Sequence, residues 1–573
     1  MAGRPPFPKA RHLSLAEVGA SPAGAEALAI PLEEEAREQA LAVAAAPPPG
    51  KGTKGAPTAP EGLPRAVSLD IGLPAQRGEA CVARDGTPAG GERPVRCPSS
   101  LEGRQHAGDQ SALAARLGEA VILEGLDRWF NLGPEGAGYC SSCGAALVER
   151  LRESYGDHLL PFDALATLRA GKGPPAPIRE LPYGGLREAL RLSEAVLAGK
   201  RAVLRARDEA RNTRQLELPV LGRFEALSPA ALLLARHLDG LIFPLPSADP
   251  DRCLLPLLAA RAAVGQRPAV ALAPANASEA EVRLLAALAT ACDCDLALPA
   301  AASPAAAAAL AAHREYLATM KERLRPAAPL ADLVLLASPR ADAFTLGEHF
   351  STAAVAAAAI ARLHIQIAVA LELPVAGRAP LVLAGCGGLS EPEAAFARRH
   401  LAEGHDLLLV GRCAVLDDEG RAVEPVFPDL KAGLNRIGKG RIWAVVPDGE
   451  VPSPAALEPQ IARAARELLG RGRASLTLTG RGSLLVRGYL DPERKLDVHM
   501  VNLDVKDGAA VPAQGITLHI AGQVAGGGRS GYWFAPDREK GTEGERIALN
   551  AAGFGVSTVL PRVGTSALLT IPR

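Results

Sequence analysis

Up to about Pro326 the chain alternates short, wholly apolar runs with longer Ala/Leu/Arg-rich stretches of helical character. That rhythm restricts the fold more than any other feature. Parallel strands buried on both faces read as unbroken apolar runs, and each must be joined to the next by a crossover that lays a helix over the sheet. Eight runs fit: Ala25–Pro31, Ala40–Ala46, a segment ending at Cys97, Glu119–Asp127, Leu218–Glu225, Asp239–Pro244, Pro268–Ala273 and Asp295–Pro299. Together they predict an α/β fold whose first part, residues 1–328, is a single (β/α)8 TIM barrel. The Gly/Pro-rich stretch between Ala46 and Pro94 is expected to be mobile loop on the barrel rim.

After an Ala-rich helix around Ala305–Arg325 the pattern restarts with a fully apolar run, Ala331–Pro339. A helix over Ser351–Val369, a strand over Pro380–Gly385, a helix over Glu391–Glu403, a strand over Asp406–Gly411, a last strand over Gly438–Val446 and a closing helix over Leu457–Leu469 are expected. This order predicts a small flavodoxin-like, doubly wound sheet in residues 329–470. Beyond Gly470 short alternating strands separated by glycine turns, among them Asp497–Asn502, Ile516–Ile520 and Ala567–Ile571, predict a small antiparallel β-sandwich in residues 471–573.

Composition sets the class of partner. Lys plus Arg and Asp plus Glu both number 63, so no net field draws the protein to nucleic acid or anionic lipid. The N-terminal residues lack the apolar core of a secretory signal, and no charge-free apolar stretch reaches membrane-spanning length, so neither nucleic acid nor membrane is an expected partner. Nine cysteines in 573 residues are no disulfide framework and fit a reducing, cytoplasmic setting; the Ala, Arg, Gly and Pro bias fits a bacterial genome of high GC content.

The fourth apolar run ends in acidic and aromatic residues, Glu124-Gly-Leu-Asp127-Arg-Trp129-Phe130-Asn131, and is followed by Tyr139-Cys140-Ser-Ser-Cys143. Barrels present chemistry at the C-terminal ends of their strands, and glycoside hydrolysis requires two carboxyl groups across the scissile bond. Alternation puts Glu124 and Leu126 on one face, while Asp127 begins the loop. Glu225 closes the fifth run, just before Ser228-Pro229 opens a helix. Asp127 is the expected nucleophile or electrostatic stabiliser and Glu225 the general acid. Trp129 and Phe130 would form a sugar platform, with Glu124, Asn131 and Arg223 as further substrate-binding residues. Arg128 and Arg223 adjoin these acids, so rim ion pairs are the competing reading. Cys140 and Cys143 have the spacing of a zinc half-site, or are two metal-free cysteines near the barrel mouth. Gly385-Cys386-Gly-Gly388 follows a strand, where a nucleophilic thiolate would need a histidine partner; a plain glycine-rich turn is the alternative.

Strand, acidic tip, CxxC and amphipathic helix (Leu147–Tyr155) resemble the middle of a β-galactosidase-type glycoside hydrolase barrel. Leu333–Asp342, Val382–Ser390, Gly438–Ile442 and His499–Asp504 carry the same likeness, as does the order of barrel, amidotransferase-like sheet and β-sandwich. The resemblance implies hydrolysis of a glycosidic bond in a carbohydrate such as a galactoside. It also implies a trimerisation-type middle domain and hence a homo-oligomer, no required cofactor, and a structural zinc with Cys97 joining Cys140 and Cys143. Two departures qualify it. The family carries an Asn-Glu pair after strand four and a Glu after strand seven, whereas here the seventh run leads to Asn276, with Glu279 already in the next helix. The family's fourth cysteine, two positions before the CxxC, is replaced by Gly138. Either the acid pair has moved, or the barrel is a catalytically inactive saccharide-binding or oligomeric scaffold.

Overall fold

The computed structural model describes residues 15–17, 27–31 and most of 65–572, with 72–79, 118–119, most of 157–182, 321–326, 417–422 and 447–452 among the stretches left out. The chain divides into two compact units, one of residues 1–244 with 263–272, the other of 245–262 with 273–573.

The first unit carries strands β1 (Leu15–Glu17), β2 (Ala27–Pro31), β3 (Arg65–Asp70), β4 (Ala120–Glu124), β5 (Val220–Arg223), β6 (Gly240–Pro244) and β7 (Ala269–Leu272), each parallel to the next. Strand β8 (Asp295–Ala297) completes an eight-strand series in sequence order, the arrangement of a (β/α)8 barrel. Helix α1 (Leu101–Leu117) links β3 to β4. Helices α2 (Arg128–Asn131), α3 (Ser141–Tyr155) and α4 (Tyr183–Arg214) fill the span from β4 to β5, and α5 (Pro229–Ala235) follows β5. Helices α6 (Pro250–Val264), α7 (Glu279–Ala291) and α8 (Pro304–Met320) follow β6, β7 and β8.

The strand assignment from sequence needs correction at its start. The third strand is Arg65–Asp70, inside the stretch expected to be loop, and Ala66, Val67, Ser68 and Leu69 are buried. The segment ending at Cys97 forms only isolated bridges, Ala80 with Arg96 and Val82 with Pro88. Six residues interrupted by a serine, with prolines and glycines nearby, are a weak apolar signal, and pairing with β4 makes them a strand. Ala40–Ala46 lies outside the described residues, and β1 was not foreseen.

In the second unit β9 (Ala328–Pro329) precedes β10 (Leu333–Leu336), β11 (Ile367–Ala370), β12 (Leu381–Ala384), β13 (Leu407–Val410), β14 (Gly433–Ile437) and β15 (Gly440–Val445). The sheet order is β11-β10-β12-β13-β15-β14, parallel except for the β14–β15 hairpin, a flavodoxin-like layout with an antiparallel edge. The helix expected to reach Val369 ends at Ala361, and Ile367–Ala370 is a strand. His364 at φ 64° turns the chain, and the Asp332 carboxylate accepts the Gln366 N–H at 3.0 Å.

The last hundred residues supply a four-stranded antiparallel sheet and five strands of a six-stranded one around Met500, Leu518, Trp533 and Leu569, with β9 as the sixth strand at one edge of the larger sheet. Asp332 also accepts the N–H and hydroxyl of Ser475 at 2.9 and 2.6 Å. Gln366 in turn accepts the Gly488 N–H at 2.8 Å and donates to Val486 O at 3.1 Å, so one buried acid and one amide join the middle sheet to the sandwich. Among the described residues no helix is long and apolar enough to cross a membrane.

Candidate active site and metal centre at the barrel rim

Strand register decides which side chains meet at the rim. Asp70 pairs with Glu124, and Glu124 with Arg223, so the three leave the sheet on one side at its C-terminal edge. Glu124 accepts the Ser68 hydroxyl and lies 3.4 Å from Arg223, both side chains part-exposed. Arg128, the first residue of α2, bridges Asp70 at 2.7 Å and Glu225 at 2.6 Å. The rim therefore carries two sets of ion pairs, Glu124 with Arg223 and Arg128 between Asp70 and Glu225. Asp70 is not among the expected site residues, because its strand lies within the stretch expected to be loop and carries no strand-end signal of its own.

Asp127 occupies a different environment. It is 0% exposed and accepts from Asn131 Nδ2 at 2.7 Å, Glu225 N–H at 3.3 Å, Ala226 N–H at 3.4 Å and the Ser228 hydroxyl at 3.5 Å. Burial pushes its carboxyl up to about 6, against these hydrogen bonds. The group is packed behind the rim, closing the turn that leads from β5 into α5. Glu225 stands on the rim with its side chain 47% exposed, held by Arg128. The two carboxyls expected to face each other across a substrate thus lie in unlike surroundings, one sealed and one open.

The expected sugar platform is also engaged elsewhere. Trp129 is buried, and the Arg191 guanidinium lies 5.1 Å from its ring centroid and 5.4 Å from that of Phe130. Arg191, itself 2% exposed, donates to the carbonyls of Trp129 and Phe130 at 2.9 and 3.0 Å and is paired with Glu188 at 2.9 Å. The Trp129 ring is closed to stacking on a pyranose, while the Phe130 ring, half-buried, has Arg191 beside it. The Asn131 amide is turned to Asp127, which leaves Glu124 and Arg223 as the predicted substrate-binding residues that stand at the rim.

A second cluster lies beside α2 and α3. The sulfurs of Cys81, Cys97, Cys140 and Cys143 lie within 4.8 Å of one another, all four buried. The separations Cys140–Cys97, Cys140–Cys143 and Cys97–Cys143 are 3.3, 3.4 and 3.5 Å. Tetrahedral Zn–S bonds of about 2.3 Å place sulfurs roughly 3.8 Å apart, so the set closes on a zinc with small adjustment. The Cys81 sulfur accepts the Trp129 indole N–H at 2.8 Å and the Gly138 N–H at 3.2 Å, contacts suited to a metal thiolate. The neighbouring Cys140, Cys143 and Cys97 thiols and the Gly138 amide pull the Cys81 thiol well below its ordinary range. The sequence points to three of the four clustered cysteines, and the position where the resemblance puts a fourth is Gly138. Gly138 sits at φ 96°, a conformation that disfavours any side chain, and the fourth sulfur comes instead from a segment expected to be loop.

Cys386 is buried, its thiol directed to Gly388 O at 3.5 Å, and burial pushes its pKa well up. Both ring nitrogens of the buried His349 are engaged, by Ser338 N–H at 2.9 Å and Ala384 O at 2.7 Å. The turn reading of Gly385–Gly388 is the one this geometry favours.

No protein-family model matches the chain, and no curated protein matches it in sequence. Solved structures do match in fold. A β-galactosidase from Bacillus circulans sp. alkalophilus is 12% identical, with 99% of each chain covered and a TM-score of 0.64. A GH42 β-galactosidase from G. stearothermophilus is 13% identical, with 89% of each chain covered and a TM-score of 0.62. An α-L-fucosidase from Paenibacillus thiaminolyticus is 13% identical over 89% of this chain and 87% of its own, with a TM-score of 0.59. The chain has the fold of β-galactosidase-type glycoside hydrolases, as its domain order and strand-end motifs imply.

Proposed function

We propose that this protein is a glycoside-hydrolase-like barrel that binds a saccharide at its rim without cleaving it by a two-carboxylate mechanism. The observation that carries the reading is the state of Asp127: wholly buried and hydrogen-bonded by four donors, it has no path to an anomeric carbon or to a leaving-group oxygen. The end of β7 supports it, because Ala273, Pro274, Ala275 and Asn276 offer no carboxylate, and Glu279 is paired with Arg283 at 2.7 Å. What the rim does offer is planar carboxylate and guanidinium groups, which bind vicinal hydroxyls in pairs. The solved structures that share the fold are named for sugar-cleaving enzymes, which supports a carbohydrate ligand.

The four cysteines are proposed to hold a structural zinc. Four thiolates leave no open position for water or substrate, so such an ion would brace the rim loops rather than take part in chemistry.

Calorimetric titration of the zinc-loaded protein with galactosides, fucosides and their oligomers tests the binding reading. Saturable heat that is lost in Arg223→Met supports it; an absence of heat with every sugar in the folded protein contradicts it. One observation favours a second reading, hydrolysis by a relocated pair. Glu124 and Asp70 share a strand register and are both part-exposed, and turnover abolished by Glu124→Gln would establish that reading.

A further inference from the structure

Behind the rim, in the first unit, one buried charge has no ion-pair partner among the described residues. Arg96 is 7% exposed; its Nη1 donates to Ile71 O at 2.7 Å, and its Nε is buried without a partner. Among the described residues no carboxylate pairs with it, and Asp70, whose field reaches it, is bound to Arg128 at 2.7 Å. A guanidinium cannot shed its proton, and an isolated buried cation is costly unless an anion lies against it.

The space for that anion is present. Arg96 lines a cavity of about 40 Å³ together with Arg104, Gly103, Ile71, Leu126 and Trp129. One water-sized sphere needs roughly 10–15 Å³, so the cavity takes two or three such bodies. Arg104 is balanced by Glu194 at 3.5 Å, which leaves the cavity with the single positive charge of Arg96 among otherwise largely apolar walls. Gly103 lies in the first turn of α1, and a Cβ there would stand 2.7 Å from Cys97 O and 3.0 Å from Arg96 Cγ, so the missing side chain is what lets the arginine stem lie against the helix. The positive end of that helix adds to the field.

We propose that this cavity is a binding site for a small monovalent anion of halide to formate size, held by the Arg96 guanidinium. The bound anion neutralises Arg96 and fixes the Val95–Cys97 segment, whose last residue is one of the four clustered cysteines. A zinc tetrathiolate is itself negatively charged and is the rival counter-charge, so the test must separate the two.

Crystals of the full-length, zinc-loaded protein soaked in sodium bromide give the direct readout. The expected result is an anomalous bromide peak in hydrogen-bond reach of the Arg96 guanidinium. In solution, bromide compared with methanesulfonate at equal ionic strength should raise Tm saturably by about 2 °C, an effect lost in Arg96→Gln, which keeps its zinc. An empty cavity in the anomalous map overturns the proposal, as does a bromide response that does not saturate. Loss of zinc from Arg96→Gln with no bromide peak in the wild type would assign the guanidinium to the tetrathiolate instead. The wild-type map and titration decide the matter even if the variant fails to fold.

Discussion

Four donors converge on the Asp127 carboxylate, two of them backbone N–H groups of the turn that leads into α5. Burial nonetheless holds its pKa up at about 6, against roughly 3.9 for an unfolded chain. Between those values the folded state binds the extra proton. The stabilising contribution is therefore complete below the unfolded pKa and is lost as pH rises through 6. Linkage between these values amounts to about 2 kcal/mol, so the stability advantage of wild type over Asp127→Asn should shrink by about that amount from pH 4 to pH 7. Urea midpoints across that range check it; a difference independent of pH would mean that the carboxyl titrates normally. Arg191 affords a second residue-scale expectation. Arg191→Met strips the partner from buried Glu188 and the donors from two carbonyls, so it should destabilise by about 3–5 kcal/mol, read as a lowered urea midpoint. These two residues also mark where sequence reading stops. A strand-end acid and an adjacent aromatic were legible as such, but their burial depends on Arg191 and on Ser228, each distant in sequence and each ordinary in type.

At the scale of elements, the four-cysteine cluster brings together the bridge segment at Cys81, the turn at Cys97 and the start of α3, pieces that otherwise share little regular structure, and it is proposed to hold a zinc. Cys81→Ser should therefore lower bound zinc from one equivalent to well below it, measured by mass spectrometry of the metal. It should also change Trp129 emission, because the indole N–H loses its sulfur acceptor. Retention of full zinc in that variant would remove Cys81 from the ligand set. The CxxC was readable because two cysteines on one helical turn leave a local pattern. Cys81 leaves none, and only the fold brings it to the others. Strand β3 was hidden for a related reason: its six residues become a strand through pairing with β2 and β4, a tertiary effect that overrides a weak local pattern.

For the molecule as a whole, the repeated strand-and-helix rhythm and the later switch to short alternating strands made the barrel, the flavodoxin-like sheet and the sandwich legible, because binary patterning is set by which faces must be buried. Burial does not specify chemistry. The rim placement of Asp70, Glu124 and Arg223 is a property of parallel register across three strands, the pairing of Arg128 with Asp70 and Glu225 is a property of the loops that follow, and the seal over Asp127 is a property of packing; none is written in any one segment. On the proposed reading, this barrel keeps the glycoside hydrolase fold without its two-carboxylate chemistry. Turnover of a panel of aryl α- and β-glycosides by the zinc-loaded protein, measured beside Asp127→Asn and Glu124→Gln, tests it most directly. No release of aryl alcohol above the buffer rate by any of the three is the predicted result; release by the wild type that disappears in either variant would contradict it.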